Sequence, residues 1–174
     1  EHKTPYLRQP EYAEIVAALC DYLKGEIDLR GYDSTVGWIH TTAHTADWIK
    51  FLARSPQAAH PTHHALLMVI ADKLLIPTAH VYIHNEDHRM ALATMDLLKR
   101  DLLTADDLKE FIQRLLKVHE MGTNSTAFDP TIHATAMNVK QYLRAIYVLL
   151  TIGDPVVGAH DLVAHTREAL KTFN

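Results

Sequence analysis

The stretch TADDLKEFIQRLL, residues 104–116, decides the fold. Thr104 followed three residues later by Asp107 is a capping arrangement, in which short oxygen side chains accept from backbone N–H groups of a first helical turn. Leu108, Phe111, Ile112 and Leu115 then recur at three- and four-residue intervals. That is the period of a helix with one apolar face.

The same period continues outward in both directions. Downstream, Gly122 closes this helix, and the loop GTNSTAFDP at 122–130 ends with Asp129 as a cap and Pro130 at the first helical position. The helix it opens carries Tyr142, Leu143, Ile146 and Leu149, and Asp154-Pro155 repeats the signal for a last helix ending near 173. Upstream, Asn85 caps a helix over 86–101, and Pro61 opens one through Leu66, Leu67, Ile70 and Leu74 that Pro77 ends. Another is expected from Ser34 to Arg54, stopped by Ser55-Pro56. The first runs from Pro10 to Lys24, with Ile15, Leu19, Tyr22 and Leu23 on one face. GEIDLRGYDST at 25–35 breaks the period and reads as a loop, and no alternating strand pattern stands out. The expectation is all-α: about seven helices packed as antiparallel helical hairpins, a bundle or short α-solenoid, in one domain over 1–174.

The totals bound the function. A chain of 174 residues, 48% hydrophobic and 22% charged, has the make-up of an ordinary soluble globular protein. No apolar run approaches the roughly 18 residues of a membrane span. A net charge of −4 without a basic patch argues against nucleic acid. The single Cys20 forbids an internal disulfide and fits a reducing compartment, so a cytoplasmic location is expected. The chain begins with Glu1 rather than Met, which leaves export of a longer precursor open. Histidine is the anomaly: protonating all 13 would carry the charge from −4 to +9, steeply near pH ~6.5. Scattered residues such as His2, His60 and His119 read as surface composition.

The segment VGWIHTTAHTADW, 36–48, is different. On a 34–54 helix, His40, His44, Asp47 and Phe51 share one narrow arc, with Trp38, Ile39, Ala46, Ile49 and Leu52 opposite. A helix apolar on most sides is central in its domain, so these polar groups need partners. Glu26, Asp28 and Arg30 just upstream are candidates, as are Glu86, Asp87 and Arg89 at the start of another helix. Imidazoles at i and i+4 can also meet at one divalent ion, with Asp47 as third ligand. However, the chain has no His-Glu-x-x-His motif, and His-x-x-x-His alone is weak. His80 and His84 share that spacing. Gly-rich phosphate loops and Gly-x-Ser-x-Gly elbows are absent, and Cys20 reads as filling on an apolar helix. Asn124-Ser125-Thr126 fits a glycosylation pattern only by chance.

Taken together, EIDLRGYDSTVGWIHTTAHTADW at 26–48, NEDHRMALATM at 85–95 and NVKQYLRAIYVLL at 138–150 resemble the bacterial family catalogued as domain of unknown function 2785. The family's pattern matches Glu26, Asp28, Arg30, Gly31, Gly37, Trp38, His40, Ala43, His44, Ala46 and Asp47, with Thr45 standing where the family has glycine. A second pattern matches Glu86, Asp87 and Arg89. The resemblance implies helical hairpins with further helices upstream, so the chain is expected to be the C-terminal part of a longer protein. It implies no reaction, but it suggests that the polar clusters belong to one site.

Three readings follow. The first is a binding or scaffold module with a groove of Glu26, Asp28, Arg30, Trp38, His40, His44, Asp47, Glu86, Asp87 and Arg89, suited to a small anion or a peptide. The second is a metal-assisted hydrolase with His40, His44 and Asp47 on a divalent ion and Glu26 or Glu86 as base. The third is a purely structural polar network.

Overall fold

The computed structural model describes residues 7–122, 127–156 and 159–173. Among these the chain forms seven α-helices: α1 Gln9–Gly25, α2 Thr41–Ala53, α3 His60–Leu74, α4 Glu86–Leu98, α5 Ala105–Leu116, α6 Pro130–Ile152 and α7 Ala159–Lys171. One antiparallel hairpin, β1 Tyr32–Asp33 and β2 Gly37–Trp38, and a 3-10 turn at Lys117–Glu120 complete the regular structure. Two of the caps read from sequence, Thr104 and Asp129, form as their chemistry requires, whereas Asn85 precedes its helix without a side-chain cap bond and Asp154 stands ahead of a helix that runs Ala159–Lys171. Thr104 Oγ1 accepts from Asp107 N at 3.2 Å while Asp107 Oδ2 accepts from Thr104 N at 2.7 Å. Asp129 Oδ1 accepts from the N–H groups of Thr131 and Ile132 at 2.8 and 3.2 Å.

The helices lie in two rows. Helices α1, α3, α5 and α7 touch in that order, and α2, α4 and α6 form the second row. Their apolar stripes meet in one core around Tyr12, Leu19, Ile49, Leu66, Phe111 and Tyr142. Helices α2 and α4 run parallel: His40 meets His84 at one end, and Arg54 pairs with Asp96 at 2.6 Å at the other. At that second end His63 is buried, its ring nitrogens each 3.2 Å from a carbonyl, Ala53 O and Leu97 O. No helix among the described residues is long and apolar enough to cross a membrane.

Four boundaries differ from the sequence expectation, one being the helix closed by Gly122 in that reading, which ends at Leu116 and continues only as the 3-10 turn to Glu120. The helix expected from Ser34 begins only at Thr41, because the Asp33 carboxylate accepts from the N–H groups of Thr35 and Val36 at 2.9 and 3.1 Å and folds a turn. Gly37 (φ 84°) and His40 (φ 51°) continue the break, and the expected loop over 25–35 contributes a strand to the hairpin. Trp38, placed on the buried side of a helix by periodicity, lies on β2 and is 61% exposed. The helix over 86–101 ends at Leu98, and the last one starts at Ala159 rather than at Pro155. Asn124-Ser125-Thr126 lies outside the described residues.

Candidate functional site

The ends of α2 and α4 that start each helix sit side by side beneath the hairpin. Both residues preceding these helices, His40 (φ 51°, ψ 30°) and Asn85 (φ 66°, ψ 22°), adopt left-handed backbone, and neither side chain caps its helix. Such conformations cost energy in a residue with a Cβ and concentrate at functional sites. The hairpin is pinned to them: His40 N donates to Arg30 O at 3.1 Å, Ile39 N to Gly31 O at 2.9 Å, and Thr41 Oγ1 to Asp28 O at 2.7 Å.

At the centre lies Glu86, in the first turn of α4, with its side chain 1% exposed. Its Oε2 accepts from His84 N at 2.8 Å. Its Oε1 has no hydrogen-bond partner and lies 3.4 Å from His40 Nε2 and 3.9 Å from His84 Nδ1, itself buried and unpartnered. His40 Nε2 donates to His84 O at 2.9 Å, which places the imidazole proton on that nitrogen. An unpaired buried carboxylate is costly. The positive start of α4 and the two imidazoles are the groups placed to offset that cost. Gly31 closes the site from above: a Cβ there would lie 2.3 Å from Glu86 Oε1 and 2.5 Å from His84 Nδ1.

Over this inner layer spreads a cluster of rings. The Trp38 indole lies 4.9 Å from the His40 ring, 5.4 Å from His84 and 5.3 Å from Tyr32, which β-pairing sets opposite it. The exposed His44 ring packs edge-on to His40 at 5.9 Å. Beside it a cleft of about 300 Å³ is lined by Tyr22, Thr41, His44, Thr45 and Trp48.

The arginines expected to line a groove are already engaged. Arg30 donates to both Asp28 oxygens, at 2.9 and 2.8 Å, and to Asp33 at 2.6 Å. The Arg30 guanidinium holds the Asp28 carboxyl at about 2. Hydrogen bonds from Thr35, then Val36, do the same for Asp33, also at about 2. Arg89 forks onto Asp47 through Nε at 3.0 Å and through Nη2, with Lys50 at 3.6 Å. Asp47 is therefore committed to cations, and the proposed ion set of His40, His44 and Asp47 does not assemble. No three His, Cys, Asp or Glu side chains among the described residues surround one point as they stand.

Of the residues singled out from sequence, Trp38, His40, His44 and Glu86 come together, and Arg30 with Asp28 braces the hairpin above them. Glu26 turns back to the chain, accepting from Tyr22 OH at 3.0 Å and Asp28 N at 2.8 Å. Asp87 lies apart, in a cleft of about 320 Å³ with His88, Gln141 and Arg144 between α4 and α6. Sequence reasoning missed Tyr32, which needed the hairpin register, and used His84 only for its spacing from His80.

A two-row all-α protein with a buried carboxylate under a Trp–His cluster is the class these features define. The chain belongs to the family described as Protein of unknown function (DUF2785), whose model matches residues 1–148. No curated protein and no solved structure matches it.

Proposed function

We propose that this domain is a binding module whose recognition surface is the Tyr32–Trp38–His44 cluster and the adjoining Tyr22–Trp48 cleft, and whose ligand is a short peptide presenting an apolar or aromatic side chain. The supporting observation is the exposure of Trp38, 61%, among four other rings on a braced hairpin. Aromatic faces beside hydrogen-bonding imidazoles suit an apolar side chain flanked by peptide groups. A small anion fits less well, because Arg30 and Arg89 each face carboxylates. A hydrolase built on His40, His44 and Asp47 lacks its third ligand for the same reason. The inner layer of Gly31, His40, His84 and Glu86 supports a second, structural role, since its hydrogen bonds tie the hairpin to both helices.

The chain's two tryptophans, Trp38 and Trp48, both lie on this surface, so intrinsic fluorescence reports on it directly. Peptides selected from a random library should shift that emission and lose binding to Trp38→Ala, whose circular dichroism melt stays near the parent's. Selected peptides that bind Trp38→Ala and Trp48→Phe as well as the parent would overturn the reading.

A further inference from the structure

The cleft of about 320 Å³ between the start of α4 and the middle of α6 shares no lining residue with the Tyr22–Trp48 cleft. Asp87 and His88 line it from α4, and Gln141, Arg144 and Val148 line it from α6. Asn85 adds its side chain, which caps nothing, on left-handed backbone (φ 66°).

This cleft holds two opposite charges that do not meet. Arg144 is the one arginine whose guanidinium has no acceptor among the described residues. Six of the others face carboxylates, and Arg100 donates to Ser55 O at 2.8 Å. Asp87 lines the same cleft, is partly buried, and also makes no hydrogen bond or ion pair among the described residues. A carboxylate in the first turn of α4 is favoured by the positive helix start, so Asp87 has a local reason to be there. Arg144 has no such reason. It stands well short of the negative end of α6, where a cation would be favoured. The α6 wall also offers apolar surface, Ala145 and Val148, with Val148 47% exposed.

We propose that this cleft binds a free α-amino acid with an apolar side chain. The α-carboxylate forks onto the Arg144 guanidinium, and the α-ammonium donates to the Asp87 carboxylate. The ligand's side chain lies on Ala145 and Val148. An anion alone would meet the uncompensated charge of Asp87, and a cation alone that of Arg144, whereas a zwitterion answers both. A volume of about 320 Å³ is at the small end of ligand pockets and suits an amino acid better than a nucleotide.

The test is isothermal titration calorimetry of the full chain with L-leucine, beside N-acetyl-L-leucine and L-leucine amide, each of which lacks one of the two charges. The expected result is one leucine per chain, with both blocked analogues bound at least about tenfold more weakly. Arg144→Gln should weaken leucine binding about 10- to 100-fold, the range of a charged hydrogen bond. Asp87→Asn should weaken it and abolish the preference for leucine over N-acetyl-leucine. Trp38→Ala, on the other surface, should bind leucine as the parent does. Neither Asp87 nor Arg144 has a partner to lose, so circular dichroism melts of both variants should stay near the parent's. No one-to-one binding at millimolar leucine, N-acetyl-leucine bound as well as leucine, or an Arg144→Gln variant that binds as the parent does would overturn the proposal.

Discussion

Lys73 couples the stability of the fold to pH. Its side chain leaves the last turn of α3 and is buried, with Nζ donating at 2.5 Å to Glu26 O, where α1 ends and the chain turns toward the hairpin. Burial lowers its pKa from 10.5 to about 8, with the nearby Glu26 charge opposing that shift. Below about pH 8 the lysine is charged in both folded and unfolded chains, and the folded state bears the desolvation cost. Between about 8 and 10.5 the folded chain gives up the proton while the unfolded chain keeps it, so stability rises with pH. At roughly 1.4 kcal/mol per pKa unit, the gain between pH 7 and pH 10 is about 2.5 kcal/mol. Buried tyrosines oppose this near the upper end: burial raises Tyr12 to about 12, so it favours the folded state less as pH climbs above 10. The measurement is therefore a difference, urea unfolding of the parent and of Lys73→Met at pH 7, 8.5 and 10. The parent should gain about 2.5 kcal/mol relative to the variant across that range. Parallel profiles would refute the assignment of a charged, desolvated lysine at the base of the loop.

Gly31→Ala drives a methyl into Glu86 and His84, and should cost about 1–3 kcal/mol by urea unfolding, with loss of peptide binding. Thr104→Ala removes the α5 cap and should lower stability by about 1 kcal/mol, read as a melting shift. Burial depresses His63 below its usual 6.5 despite two carbonyl acceptors. Acidification through about pH 6.5 then protonates the unfolded chain first and weakens the fold, and His63→Gln should blunt that loss in melts at pH 7.5 and 5.5.

The helices were legible because each carries its own signals: a stripe such as Leu108–Phe111–Ile112–Leu115 and caps such as Thr104 and Asp129 act within a single turn. Periodicity misled at 34–40, where Asp33's turn bonds and left-handed backbone at Gly37 and His40 interrupt a helix that the apolar pattern would permit. That one error moved Trp38 from a buried helix face to an exposed strand.

Sequence reading therefore reached the all-α class and most helix ends, and it singled out His40, His44 and Glu86 as candidates, because local hydrogen bonding and spacing act over a few residues. Tertiary structure alone decided who meets whom. It gave Asp47 to Arg89 across the α2–α4 contact and left Glu86 Oε1 without a partner. It also set His60 and His64, read as surface composition and left unremarked, against Asp107 and Glu110 more than forty residues away. Pairings at that separation depend on how the two rows of helices stack, and no local pattern encodes them.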